Sequence, residues 1–221
     1  GLEYARKKAN DPFVIEQYFH ILEETLERYN LQNKPSQIYN IDETSFTLAP
    51  SKTKIVGQKN APASRITTGP GRESTTVLMG GNANGDKLPP LIVFKGKNIW
   101  DAWMAPDEST FPGTSYAASS NGWMETEIFV NYFTKTFIPN VVPERPILLL
   151  YDGHSTHLDQ KLIEAALKND IIILKLPPHS SHLLQPMDLA VFKSLKSRWD
   201  SKLAEYQRKH VGVKIPKKDF S

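Results

Sequence analysis

Hydrophobic positions along the chain change period several times, and each change marks an element. After Asp11-Pro12, an N-cap followed by proline at the first helical position, Val14, Tyr18, Leu22 and Leu26 recur every four residues and predict an amphipathic helix. The period then shortens. Residues 37–42 (QIYNID), 74–82 (STTVLMGGN) and 88–94 (LPPLIVF) read as strands, the last two joined by Asn84-Gly85-Asp86, a hairpin turn signal. Thr126 is placed to N-cap a helix carrying Phe129, Phe133 and Phe137, which Pro139 stops. Pro146 leads into Ile147–Tyr151, an apolar run without alternation, as expected of a central strand buried on both faces. A helix over 159–168 with Leu158, Leu162, Ala166 and Leu167 inward, a strand over 171–176 and a helix from near Pro186 complete the order. This succession predicts an α/β domain with a mixed sheet flanked by helices.

Composition narrows the chemistry. The 221 residues, 39% hydrophobic, suffice for one main core, and the absence of Cys excludes disulfides and thiolate zinc sites. No apolar stretch approaches the ~20 residues of a membrane span. Charge is unevenly placed: residues 192–221 hold nine Lys/Arg against three acids, a local +6, while the other 191 residues sum to −3. Such a stretch suits a phosphate backbone, and equally suits a solvated helix face with a loose tail.

Three aspartates stand at element ends. Asp42 ends the first strand and points with Asn40, Asp152 closes the run Ile147–Tyr151, and Asp188 opens the last helix, with 35 residues between it and Asp152. Each has a bland alternative. Asp42 could bond the backbone of Thr44 or Ser45 in an Asx turn, Asp152 could cap the loop that follows, and Asp188 could complement a helix N-terminus. Helical spacing nevertheless puts Asp188 on the face of Phe192, Leu195 and Trp199, and a lone inward carboxylate is costly without a partner or metal. Together the three form a candidate site for two divalent ions, Mg²⁺ or Mn²⁺ by preference for hard oxygen ligands. Zinc is the rival through His154, His157, His179 and His182, although a Pro-Pro-His-Ser-Ser-His loop does not make a helical ligand pair.

The segments YNIDETSF (39–46), LLLYDGHSTH (148–157) and LKLPPHSSHLLQPMDLAVFKSLK (174–196) resemble, in order and spacing, the catalytic signature of pogo/Tigger-type DDE transposases, whose relatives include centromere protein B and the Jerky-like proteins. The resemblance implies a ribonuclease-H-like fold over residues 37–203, with 1–36 an N-terminal helix and linker and 204–221 a basic tail. It maps Asp42, Asp152 and Asp188 onto the acidic triad that holds two Mg²⁺ or Mn²⁺ ions. DNA strand cleavage and strand transfer are the implied reactions, with DNA as partner and the nucleus as location in a eukaryotic host. A homodimer is compatible with it. A domesticated, non-cleaving DNA-binding protein of the same fold is the alternative. Family members usually carry helix-turn-helix domains ahead of the catalytic one. With one helix before Asp42 and no initial Met, the chain is expected to be a truncated or excised piece relying on sequence-neutral phosphate contacts. Lys193, Lys196, Arg198, Arg65, Arg72 and Lys54 are candidates for these, the last three also reading as solvated loop residues. Trp100, Trp103 and Trp123 flank a Pro- and Ser-rich stretch, 105–122, expected to be an ordered insertion packed by its aromatics, or else a base-stacking platform.

Overall fold

The computed structural model describes residues 11–48, 74–152, 159–210 and 215–220. Helix α1 (Pro12–Arg28) starts as its sequence dictates, the Asp11 carboxylate accepting from Phe13 N at 3.1 Å. Tyr18 is buried, and Val14, Leu22 and Leu26 share its face, half-buried. Six strands follow: β1 (Ile38–Thr47), β2 (Ser74–Asn82), β3 (Leu91–Lys95), β4 (Ser115–Ser119), β5 (Ile147–Tyr151) and β6 (Ile171–Lys175). They form one sheet in the order β4-β3-β2-β1-β5-β6. The β1-β2-β3 ribbon is antiparallel, whereas β3-β4, β1-β5 and β5-β6 pair in parallel, giving the expected mixed sheet.

One face packs on α2 (Thr126–Tyr132), which runs through a π-helical turn (Phe133–Phe137) into the short α3 (Ile138–Asn140), and on α4 (Gln160–Lys168). Phe129, Phe133 and Phe137 are fully buried there with Tyr39, Ile41, Leu149 and Leu162. The other face carries Phe46, Val77, Ile92 and Phe94, packed by Leu195 and Trp199 of α6 (Lys193–Lys209) and by Phe220. Trp199 lies 5.5 Å from Phe46 and 4.8 Å from Phe220, centroid to centroid.

Several boundaries differ from expectation for local reasons. β1 does not stop at Asp42 but continues to Thr47, because β2 pairs with it along its length, Tyr39 opposite Asn82 through Thr47 opposite Ser74. Residues 105–122 contain the edge strand β4, its five residues aligned with Leu91–Lys95. Trp103 packs edge-on to Phe94 at 5.9 Å, while Trp100 and Trp123 are 61% and 67% exposed and so do not serve as packing residues. Glu125, not Thr126, is the N-cap of α2, and its helix passes Pro139 by one residue. Leu167 is 71% exposed, so α4 faces the core through Leu162 and Ala166. Leu158 lies outside the described residues. The boundary expected at 203 falls inside α6, and Ile215 and Phe220 are buried rather than part of a loose tail.

Gly80 shows how tightly β1 and β2 approach. A Cβ there would meet the Ile41 side chain and lie 2.8 Å from the Asn40 carbonyl oxygen. Gly80→Ala is therefore expected to destabilise the fold by ~1–3 kcal/mol, the usual cost of overpacking, read as a lowered urea midpoint with unchanged slope.

Candidate active site

Strand register brings the first two aspartates together. β1 and β5 pair in parallel, Asn40 opposite Leu150. Two residues further along both strands stand Asp42 and Asp152, on the same face, with neighbouring strands about 4.8 Å apart. Alternation fixes that face: Tyr39, Ile41, Ile147, Leu149 and Tyr151 point into the large core, so Asn40, Asp42 and Asp152 point to the opposite side. The segment after β6 crosses that side. It contains α5 (Ser181–Leu184) and the π-helical turn Met187–Phe192 that opens into α6. Ser181 Oγ donates a short hydrogen bond to Asp152 Oδ2.

Asp188 differs from its expected orientation. An α-helical period aligns it with Phe192, but the π turn adds a residue per turn, so Met187 and Phe192 are the buried pair and Asp188 is exposed. It is still electrostatically joined to the other two. Burial pushes the Asp42 carboxyl up to about 7, with the charges of Asp188 and then Asp152 adding to the rise, while the Glu43 backbone and the Gln185 side chain lower it part of the way. Asp188 is itself raised by burial and by Asp152, against the lowering pull of Lys196. The three aspartates thus share one field. Among the described residues, however, no three or more acids and histidines stand in a metal-ligating arrangement.

Four residues beyond the sequence-predicted set belong to this region. Glu43 lies on the opposite face of β1 from Asp42, and burial, then the Asp42 charge, pushes its carboxyl up to about 7. Gln185 is fully buried beside Asp42, its Nε2 making no hydrogen bond of ordinary geometry. Asn40 and Ser181 bind groups of the site directly. Lys193, Lys196 and Arg198 are exposed along the first turns of α6. Lys54, Arg65, Arg72, His154 and His157 lie outside the described residues, and His179 and His182 are exposed.

The two raised carboxyls give stability a pH dependence of definite sign. Asp42 and Glu43 rise from 3.8 and 4.5 to about 7, so between roughly pH 4 and 7 the folded chain holds protons that the unfolded chain has lost. Their favourable contribution is complete below the unfolded values and is lost as pH rises through 7. Without divalent cation the chain should melt lower at pH 8 than at pH 5.5, and Asp42→Asn should flatten that dependence. A variant with an unaltered pH slope would show that Asp42 is not the buried acid responsible.

Residues 72–213 match the family described as DDE superfamily endonuclease. Asp152 and Asp188 fall within the matched span and Asp42 precedes it. The chain is 32% identical over 179 residues to the Cochliobolus lunatus protein called MFS-type transporter clz9, covering 79% of this chain and 19% of that one. Among the described residues no helix is long and apolar enough to cross a membrane. It is 29% identical over 180 residues to the human Pogo transposable element with KRAB domain (77% of this chain, 27% of that one). To the human Jerky protein homolog it is 27% identical over 173 residues (70% and 28%). The chain therefore spans between about a fifth and three tenths of these relatives. In fold it is similar to the Mos1 mariner paired end complex with Mn, with a TM-score of 0.55 and 14% identity over 95% of this chain and 58% of that one. The sheet order, the flanking helices and this likeness give a ribonuclease-H-like fold, and the chain belongs to the DDE superfamily endonucleases, among relatives of the pogo and Jerky type.

Proposed function

We propose that the chain is a transposase-derived endonuclease domain that cleaves DNA strands and transfers them, using Asp42, Asp152 and Asp188 with two Mg²⁺ or Mn²⁺ ions. The observation that carries this reading is the convergence on one side of the sheet of carboxylates from β1, the end of β5 and the start of the last helix, where the charges of Asp188 and Asp152 both add to the rise that burial gives Asp42. Burial and like charge hold Asp42 partly protonated near neutral pH, a state that a cation between the carboxylates would relieve. Hard oxygen donors suit Mg²⁺ or Mn²⁺, and Gln185 Nε2 is a buried donor beside them. When bound, such ions supply charge stabilisation to the attacking and departing oxygens of a phosphodiester displacement. The chain's own part is to hold the acids. Ser181 orients Asp152, and Asp42 takes its place from the β1-β5 register.

Lys193, Lys196 and Arg198 would bind the DNA backbone without reading sequence. In a eukaryotic host this places the chain in the nucleus, and a homodimer would present two sites. The domain limits read from the sequence are retained at the N-terminal side, 1–36 and 37 onward, with the catalytic unit extended through α6 and residues 215–220. A second reading, a DNA-binding protein of this fold that does not cleave, is favoured by the lack of a preformed ligating cluster among the described residues.

Supercoiled plasmid with Mg²⁺ or Mn²⁺, binding measured in parallel, separates the two. Nicking that requires the metal supports the endonuclease, and binding without nicking supports the silent protein. Replacing Lys193, Lys196 and Arg198 by Gln should lower the slope of log affinity against log salt by about 0.9 per lost contact on duplex DNA, some 2–3 in all. An unchanged slope removes these side chains from the DNA surface.

A further inference from the structure

We propose that Asn40 is a positioning residue that sets the spacing of the three aspartates, a role that rests on the metal-dependent reading above. Asn40 is buried at 7% exposure, and its one side-chain amide makes three hydrogen bonds to two segments, β5 and 185–187. Nδ2 donates to the Leu150 carbonyl oxygen at 2.9 Å, two residues before Asp152. The same nitrogen donates to Gln185 Oε1 at 2.6 Å, and Oδ1 accepts from Met187 N at 3.1 Å, one residue before Asp188. Asn40 itself stands two residues before Asp42, on the same face of β1. A single planar group is thus within two residues of every member of the triad.

The chemistry of the joint requires an amide. Both donor and acceptor are used, so aspartate would lose the bonds to Leu150 and Gln185, and leucine would lose all three. Met187 opens a helical turn, where a backbone N–H has no intrahelical acceptor, and Asn40 supplies one. By holding Gln185 Oε1, Asn40 also turns the rest of that buried amide toward Asp42.

The test reads hydrogen exchange and metal binding separately. In the unaltered chain, free of metal, the Met187 amide should exchange as slowly as the β1 and β5 amides; exchange as fast as an open helix end overturns the joint. This measurement needs no variant to fold. Asn40→Ala should speed Met187 exchange and weaken Mn²⁺ binding, followed by electron paramagnetic resonance, by at least about tenfold, as loss of an outer-sphere partner typically does. Thr76→Val is the matched control, since Thr76 Oγ1 donates a buried 2.7 Å bond to the Gly122 carbonyl away from the aspartates. It should lose stability and keep its Mn²⁺ affinity. Equal Mn²⁺ affinity in Asn40→Ala and the unaltered chain overturns the positioning role. Failure of the unaltered chain to bind Mn²⁺ overturns the metal reading itself, and the positioning role with it, even if slow Met187 exchange shows that the hydrogen-bonded joint exists.

Discussion

Asp42→Asn and Asp152→Asn should each reduce Mg²⁺-dependent nicking by on the order of a thousandfold or more, while DNA binding stays within a few-fold. The magnitude follows from charge. Even a single preorganised neutral donor is worth ~10²–10³ in rate, and these substitutions remove a full negative charge where divalent metal is expected to be held. The two variants should differ in stability. Asp42→Asn removes a carboxyl that burial and two like charges raise to about 7, so it should stabilise the metal-free fold above neutral pH. Asp152 accepts from Ser181, and its amide would still offer an acceptor there, so Asp152→Asn should leave stability nearly unchanged. A variant that is stabilised, binds DNA and no longer nicks identifies a site that trades stability for charge. Undiminished nicking by either variant would remove that aspartate from the chemistry.

The parts of this arrangement visible in the sequence are those governed by local pattern. β2 spans Ser74–Asn82 as read from the run ahead of its turn signal, Gly85 takes the positive φ of 98° that the hairpin demands, and Asp11 caps α1. The phenylalanine stripe faces the core because four-residue spacing keeps one helix face. What escaped depends on distant partners. Glu43, Thr44 and Ser45 look like a strand ending, and only the pairing of β1 with β2 carries the strand past them. β4 is five small or weakly patterned residues that gain strand geometry from β3. The π turn at Met187–Phe192 has no period-3.6 signature and moved Asp188 from the expected inner face to the outside.

Glu43 shows a signal that could have been used. The alternation that places Tyr39 and Ile41 inward also places Glu43 inward, as helical spacing predicts for Asp188. Glu43 is thus a second half-buried acid of β1, on the face opposite Asp42 and raised by burial as Asp42 is. Burial, and after it the charges of Glu43 and Asp42, raises Tyr151, a phenol stacked 5.0 Å from Phe129. The aromatic core and the carboxylate site are thus two faces of the same two strands, and loosening one should be felt at the other.

Phe133→Ala should consequently cost ~3–5 kcal/mol, the usual penalty for truncating a fully buried aromatic, and bring a domain of ordinary stability close to unfolding. Phe133 stacks on Phe137 at 5.1 Å and 11°, and Phe137 meets Tyr39 edge-on at 5.7 Å, so the cavity would open beneath β1 one residue from Asn40. Aromatic stacking adds ~0.5–1.5 kcal/mol to the simple loss of buried area. Phe13 provides the comparison. It is also a helical phenylalanine, but it is 78% exposed, and Phe13→Ala should change stability by less than ~0.5 kcal/mol. Urea unfolding of the two variants side by side tests this, the midpoint falling only for Phe133→Ala while the slope is retained in both. A Phe133→Ala variant as stable as Phe13→Ala would mean that the stacked ring pair does not support β1, and the coupling of core to carboxylates would have to run through β5 alone.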